Sequence, residues 1–198
     1  MMRKDKKRFK VAMIGHKRVP SREGGIEVVV EELSVRMVER GLKVDVYNRK
    51  DRFGKAYKQP REYKGIRIIQ IPTFKVSALN AFVYSVLASF RALFGGYDCI
   101  HYHAEGPCAM MWLPKLFGIH TVATIHGLDW QRAKWGGFST KYLKLGEKCA
   151  SKYADELIVL SNNNQKYFKE TYGRDTHLIP NGIVKKNADY PDRKSVGR

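Results

Sequence analysis

Cysteine is scarce in this sequence of 198 residues, which contains only Cys99, Cys108 and Cys149. The number is odd, the positions are widely spaced, and each lies among apolar residues. A secreted domain held together by disulfides usually has an even number of cysteines in a compact framework. The pattern therefore argues against a disulfide framework and indicates a protein of the reducing cytoplasm.

Long apolar runs are also missing. The basic start of the chain, residues 1–8, lacks the apolar stretch of a signal peptide and is interpreted as an N-terminal extension. The most apolar segment, residues 76–94, contains Asn80 and Arg91 and is borderline for a membrane span, which needs about 20 apolar residues. Because strand-like segments continue on both sides of it, we predict a buried or interfacial crossover helix.

Acidic residues are few, with 19 Asp and Glu against 37 Lys and Arg, so the formal net charge is +18. Such a charge attracts nucleic acid, anionic membranes or phosphorylated ligands. The sequence has no helix-turn-helix, zinc-finger or RNP signature, although a basic nucleic-acid-binding module remains an alternative. Peripheral attachment to the inner face of the plasma membrane is a further hypothesis, in which anionic lipid contacts Lys4, Lys6, Lys7, Arg8 and the basic segment 49–64.

Strand-like and helix-like segments alternate along the chain, which predicts an α/β fold. We expect a doubly wound, mostly parallel, Rossmann-like sheet with helices on both faces, formed by residues 9–183, and a linker or disordered tail at 184–198. Strands are predicted at residues 11–14, 43–47, 66–71, 98–103, 120–125, 156–160 and 176–179. The segment 48–64 is interpreted as a loop and 107–117 as one short helix. Ligands of such folds bind at the carboxyl ends of the strands.

A glycine-rich loop, Gly24-Gly25-Ile26-Glu27, lies between the first strand and an amphipathic helix. Glycines allow close approach of the backbone to a ligand, and a helix N-terminus offers free N–H groups and a favourable dipole to an anion. Gly15 is too far from Gly24 for the dinucleotide fingerprint, which argues against a nicotinamide or flavin enzyme. Phosphate binding is the functional interpretation, and a solvated loop with a capping glycine is the alternative.

Histidines follow two of the predicted strands. His101 and His103 occupy alternate positions of one strand and should share a face, but no third ligand has suitable spacing, so no metal site is predicted. We expect His101 to be packed, and His103 and Glu105 to lie closer to the rim. His126 directly follows a buried strand, where a bound substrate would lie.

The segment 131–137, which follows Trp130, mixes aromatic residues, cations and glycines. Aromatic faces stack on sugar rings and arginine pairs with phosphate. The composition therefore predicts a mobile substrate loop.

Four motifs occur in the order found in retaining glycosyltransferases: Gly24-Gly25-Ile26-Glu27, Thr124-Ile125-His126-Gly127, Leu157-Ile158-Val159-Leu160-Ser161 and Ile179-Pro180-Asn181-Gly182. The chain resembles the N-terminal domain of family 4 of these enzymes, which have the GT-B architecture, over about residues 9–183. The stretch 127–146 resembles bacterial rhamnosyltransferase-like members that build surface polysaccharide.

The resemblance implies two Rossmann-like domains facing each other across a cleft. It implies transfer of a sugar from a nucleotide-sugar donor to a lipid-linked or saccharide acceptor, with retained anomeric configuration and without a cofactor or metal. Gly24 and Gly25 would approach the donor diphosphate, and His126 would contact the donor sugar near the reacting carbon. The acceptor side would include His16, Arg18, His103, Glu105, Asp129, Trp130, Arg132 and Trp135.

The family's C-terminal donor-binding domain, with its Arg, Lys and Glu-x7-Glu motif, does not follow Gly182. Glu31 and Glu39 have that spacing on the first predicted helix, which we interpret as a coincidence on a solvated face. The chain is therefore expected to be half of an enzyme, inactive by itself, whose other half is a continuation or a separate chain. The alternative is a non-catalytic partner subunit that completes a separate donor-binding chain.

Overall fold

A computed structural model describes residues 8–51, 60–73, 77–128, 130 and 137–182. The strands are β1 (Lys10–Ile14), β2 (Lys43–Asp51), β3 (Glu62–Tyr63), β4 (Ile66–Thr73), β5 (Cys99–His103), β6 (His120–Ile125), β7 (Glu156–Val159) and β8 (His177–Leu178). The helices are α1 (Gly25–Glu39), α2 (Ser77–Leu93), α3 (Glu105–Cys108), α4 (Trp112–Leu116), α5 (Gly137–Tyr153) and α6 (Asn162–Tyr172).

One sheet contains all the described strands, in the order β3-β4-β2-β1-β5-β6-β7-β8. Neighbouring strands are parallel except β3 and β4, which are antiparallel. From β1 the chain passes to β2 on one side, and it later returns through α2 to β5 on the other side. This arrangement confirms the predicted mostly parallel α/β fold. Successive strands are added on one side of β1 and then, from β5 onward, on its other side, so the switch point of the sheet lies between β1 and β5.

Helices cover both faces of the sheet, and the alternation of side chains along β1 shows how. Val11 and Met13 lie in an apolar cluster with residues of α1. Ala12 and Ile14 point to the opposite face and lie in a larger cluster with residues of α2, α5 and α6. Because both faces of the parallel sheet are buried, its central strands are apolar nearly throughout.

Three of the predicted helix ends are confirmed. Gly41 follows α1 with φ +86°, a left-handed conformation that a residue with a side chain rarely adopts. Ser161 caps α6 by accepting a hydrogen bond from the Asn164 N–H at 3.3 Å. Gly173, with φ +63°, ends the same helix.

Three predicted boundaries are wrong. β2 continues to Asp51, four residues into the segment 48–64 that was expected to be a loop, because Asn48 and Arg49 find partners inside the fold. β4 runs through Pro72 to Thr73 instead of ending at the proline. Residues 107–117 do not form one helix, since α3 and α4 are separate short helices.

Glu31 does not lie on a solvated face, so that expectation is also wrong. Its side chain is 2% exposed and accepts a hydrogen bond from the Tyr63 hydroxyl at 3.1 Å. Arg22 forms an ion pair with the same carboxylate at 3.3 Å. β3 therefore covers one part of α1 that the sequence pattern alone assigned to solvent.

The basic segments fall partly outside the described residues. Lys4, Lys6 and Lys7, the stretch 52–59 and the tail 184–198 belong to those parts of the chain. Arg49 lies on β2, where its guanidinium stacks over the Tyr84 ring at 4.7 Å, so the expectation of an exposed lipid-facing loop is wrong for this residue. In the part of the chain that the structure describes, no helix has both the length and the apolar character that a bilayer crossing requires.

Candidate active site

The loops after β1 and β5 meet at the carboxyl edge of the sheet. Gly15, directly after β1, has φ +125°, and a Cβ at this position would lie 2.0 Å from the carbonyl oxygen of His103. The Gly15 N–H donates to the Tyr84 hydroxyl at 3.1 Å, and that hydroxyl donates to the Tyr47 carbonyl at 2.5 Å. The backbone at the crevice between β1 and β5 is therefore held closely to α2, and only glycine fits at position 15.

Three histidines converge at this edge, and we call His101, His103 and His126 the histidine cluster. The His101 and His103 rings stack with their centroids 4.2 Å apart, which confirms that they share one face of β5. His103 Nδ1 and His126 Nε2 are hydrogen-bonded at 3.2 Å. His101 Nε2 is hydrogen-bonded to the Thr124 hydroxyl at 2.8 Å. The cluster thus joins the ends of β5 and β6.

Burial keeps these imidazoles neutral. It lowers the pKa of His101 to about 3 and that of His126 to about 4. It also places the pKa of His103 well below its usual value, with the neighbouring histidines adding to the effect. Each ring therefore offers one N–H donor and one acceptor at neutral pH, and none carries a charge.

His103 and Glu105 are fully buried, so the expectation that they lie nearer the rim is wrong. Their burial follows from the turn between them, where Ala104 adopts φ +70° and its N–H donates to the Thr124 carbonyl at 3.0 Å. This hydrogen bond directs the chain back over the sheet instead of outwards. The packed position expected for His101 is confirmed, since it is 5% exposed.

His16 is buried in the loop after β1. Its Nε2 is hydrogen-bonded to Asn48 Oδ1 at 2.9 Å, and burial lowers its pKa to about 4. Asn48 also accepts from the Val19 N–H at 3.0 Å and donates to the Val19 carbonyl at 2.7 Å. This network fixes the loop to the end of β2. Arg18, by contrast, lies on the outer side of the loop and pairs with Glu23 at 2.7 Å.

The N-terminus of α1 opens toward the same edge. Gly24 is its N-cap and makes no side-chain capping bond, and a Cβ on Gly25 would meet nothing within 4 Å. Glu27 in the first turn accepts from the Lys17 N–H at 3.1 Å, and its carboxylate lies where a Cβ on Gly24 would be. An acidic group at this position complements the helix dipole. Of the two glycines, Gly25 is therefore the one that borders open space.

Trp130 is anchored to the helices behind the loop that follows β6. Its indole N–H donates to Glu147 Oε2 at 2.8 Å, and the Lys144 ammonium lies 4.3 Å from its ring centroid. Glu147, fully buried, also accepts from the hydroxyls of Tyr167 at 2.8 Å and Tyr172 at 2.5 Å. Burial and this carboxylate raise the pKa of Tyr167 to about 12.

The remaining predicted acceptor residues, Asp129, Arg132 and Trp135, lie outside the described residues. The roles assigned to all the site residues stay predictions. Sequence reasoning missed Asn48, Arg49 and Tyr84, which shape the crevice. If the sequence had been predicted to continue β2 beyond Tyr47, Arg49 would have been identified as a residue near the carboxyl end of a strand.

A cavity of about 690 Å³ lies between α1 and β5–β7, beside the histidine cluster. His101, His103 and Thr124 form part of its lining, together with apolar side chains such as Leu33 and Ile158. The segment Ile179-Pro180-Asn181-Gly182 borders the cavity. Within the described ranges, no three His, Cys, Asp or Glu side chains are placed to hold a metal ion.

Comparisons with known proteins agree with this fold. D-inositol 3-phosphate glycosyltransferase from Thermobifida fusca (strain YX) is 27% identical over 170 residues, which are 76% of this chain and 38% of that protein. The chain therefore spans well under half of this curated relative.

Solved structures show the same fold at lower identity. Sucrose-phosphate synthase from Thermosynechococcus elongatus superimposes with a TM-score of 0.67 at 21% identity, over 89% of this chain and 49% of that one. WaaG, a glycosyltransferase involved in lipopolysaccharide biosynthesis, gives 0.63 at 14% identity, over 89% and 46%. Anabaena HepE, solved in complex with UDP and glucose, gives 0.60 at 16% identity, over 88% and 44%.

The sequence profile of Glycosyltransferase Family 4 matches residues 23–186. This match runs from the loop before α1 to just beyond β8, so it includes the helix N-terminus, the histidine cluster and the segment bordering the cavity. The chain belongs to glycosyltransferase family 4.

Proposed function

We propose that this chain is the acceptor-side domain of a retaining glycosyltransferase. It would act with a second, donor-binding domain, which is either a continuation of the chain or a separate partner. Its substrates would be a nucleotide sugar and a lipid-linked or saccharide acceptor of surface polysaccharide synthesis, as in the rhamnosyltransferase-like members. The family membership supports transferase chemistry, and the UDP and glucose in the HepE structure support a nucleotide-sugar donor.

The observation that carries the proposal is the arrangement of His126. Its ring follows β6 at the carboxyl edge, is held by His103 at 3.2 Å, and is neutral because burial lowers its pKa to about 4. A neutral imidazole can form a hydrogen bond with a sugar hydroxyl, whereas a cationic imidazolium would be attracted to the donor diphosphate. Its position is fixed by two adjacent strands, which gives the precise placement that substrate orientation requires.

The hydrogen-bond pattern favours one tautomer of the pair. His103 Nε2 is buried and has no hydrogen-bond partner in the described structure. At the buried Nε2 of His103, an unpaired lone pair costs less free energy than an unpaired N–H would. The proton of His103 therefore belongs on Nδ1. His126 Nε2 then accepts that hydrogen bond, and the proton of His126 lies on Nδ1. His126 would therefore present an N–H donor to the sugar.

The departing diphosphate would be stabilised at the N-terminus of α1. The open position of Gly25 allows the backbone N–H groups to approach an anion, and the helix dipole adds to the attraction. Such donors are oriented before the reaction and stabilise the charge as it develops on the leaving group. No metal or other cofactor is needed in this scheme.

The test compares His126→Ala with His120→Ala in the enzyme that contains both domains. His120 starts the same strand, is largely exposed, and lies at the opposite edge of the sheet. Release of the nucleoside diphosphate is followed over a panel of nucleotide sugars and acceptors. Loss of an oriented hydrogen-bond donor should lower kcat by about a hundredfold or more in His126→Ala, with a much smaller change in donor affinity.

Two results bear on separate parts of the proposal. Unchanged kcat in His126→Ala would remove the role of this histidine. The 198-residue chain alone should show little or no transfer, because the proposal assigns donor binding to a second domain. Efficient transfer by that chain alone would contradict the acceptor-side assignment.

A further inference from the structure

The outer surface of α2 carries an apolar stripe. Val83, Leu87 and Phe90 recur at the spacing that places them on one side of the helix, and Phe94 directly follows its last residue. Phe90 is 56% exposed and Phe94 77% exposed, and their rings contact each other edge to face with centroids 5.4 Å apart. A helix whose inner side already packs in the core thus presents a second apolar side outward.

α4 extends this apolar surface. It packs beside both α2 and α5, so the three helices form one layer. Trp112, Leu116 and Phe117, in and just after α4, are exposed, the last two by more than half. Large apolar side chains exposed on neighbouring helices favour the binding of another molecule or a membrane.

α5 adds a row of cations to the same layer. Lys141, Lys144, Lys148 and Lys152 are all exposed and recur at helical spacing along one side. The sequences of α2, α4 and α5 contain a single acidic residue, Glu147, which is buried. The outer surface of the layer therefore combines aromatic residues with unbalanced positive charge.

We infer that the outer surface of α2, α4 and α5 binds an anionic lipid membrane. We call this surface the helical face. A membrane fits it better than a protein does, because lysine is depleted from protein interfaces, whereas aromatic side chains beside lysines are typical of helices lying at a lipid surface. The formal net charge of +18 favours the same partner.

The exposed aromatic end of α2 lies toward the amino edge of the sheet, whereas α2 begins at the carboxyl edge, where the candidate active site lies. Tyr84 of α2 holds Gly15 in the crevice, so the helix that lies on the lipid is directly joined to the site. A lipid-linked acceptor could then reach the crevice along α2. The inference rests on the proposed function only for this last point.

The experiment measures co-sedimentation of the full chain with phosphatidylcholine vesicles, with and without phosphatidylglycerol, at low and high salt. The protein should bind only the vesicles that contain phosphatidylglycerol, and less at high salt. Phe90→Ser with Phe94→Ser should weaken binding more than tenfold. Replacing all four lysines of α5 by glutamine should weaken vesicle binding by on the order of a hundredfold or more.

Matched controls test whether the helical face itself is responsible. Ile179→Ser changes an apolar residue of similar exposure that follows β8. Arg36→Gln with Arg40→Gln removes two exposed cations at the end of α1, on the other face of the sheet. Both controls should bind vesicles nearly as well as the original chain. Circular dichroism shows whether each variant remains folded.

Three outcomes would overturn the inference: no binding to phosphatidylglycerol vesicles, equal binding to neutral vesicles, or equal weakening by the controls. Sedimentation equilibrium tests whether a second copy of the chain, and not a membrane, binds the helical face. Self-association abolished by the Phe90 and Phe94 changes, without vesicle binding, would identify a second copy as the partner. Vesicle binding requires no donor, so its failure and the failure of sugar transfer are distinguishable.

Discussion

Acidification from about pH 7.5 to about pH 5.5 perturbs the histidine cluster and His16 together. Burial lowers the pKa of His16 and of His126 to about 4 and that of His101 to about 3. In the unfolded chain each would titrate near pH 6.5, so the unfolded state binds more protons as the pH falls. The stability that these histidines contribute is fully present above pH 6.5 and is lost as the pH falls toward 4.

The magnitude follows from the proton balance. A histidine that is protonated when unfolded and neutral when folded costs about 1.4 kcal/mol over this pH interval. The three histidines with these lowered pKa values would together cost about 4 kcal/mol, and His103, whose pKa burial also lowers, acts in the same direction. Native domains are stable by only about 5–15 kcal/mol. The domain should therefore be close to unfolding near pH 5.5.

Urea titrations at several pH values, followed by circular dichroism, would measure this loss. The interval lies above the range in which most carboxyl groups titrate, so histidine dominates the change. His101→Gln should reduce the pH-dependent loss by about 1.4 kcal/mol, whatever its effect on stability at neutral pH. A free energy of unfolding that stays constant across the interval would refute the reasoning.

Two further predictions concern α5. A Cβ at Gly146 would lie 1.8 Å from the backbone oxygen of Glu105, which cannot move aside, so Gly146→Ala should destabilise the fold by about 3 kcal/mol in urea titrations. Gly137→Ala on the same helix meets nothing within 4 Å and should change stability by less than about 1 kcal/mol; equal effects would contradict the close packing of α5 on α3. Glu147→Gln keeps the shape but weakens three hydrogen bonds to this side chain, so stability should fall by about 2 kcal/mol and the tryptophan fluorescence should shift to the red. An unchanged spectrum and stability would show that this carboxylate does not anchor Trp130.

The fold was largely predictable because its central strands are short apolar runs between clear turn signals. β1 and β5 are buried on both faces, and that requirement is visible in the sequence itself. The end of β2 was not predictable in this way. Asn48 and Arg49 are polar residues typical of a loop, and only their partners His16, Val19 and Tyr84 keep them in the strand.

The candidate site was predictable in position but not in detail. The alternation of strands and helices places the loops after β1, β5 and β6 at one edge, which correctly indicated where His126 would lie. The contact between His103 and His126 joins residues 23 positions apart and depends on the register of two strands. The burial of His103 and Glu105 depends on the unusual conformation of Ala104, which no local pattern indicates.

The two outermost described strands have a consequence for the behaviour of the chain in concentrated solution. β3 and β8 are each only two residues long. A strand from another molecule could add to a sheet only where an edge offers a row of unpaired backbone groups, and such short edges offer few. The strong positive charge also makes two copies repel each other. Aggregation by strand addition at β3 or β8 should therefore be slow, even when the helical face has no lipid to bind.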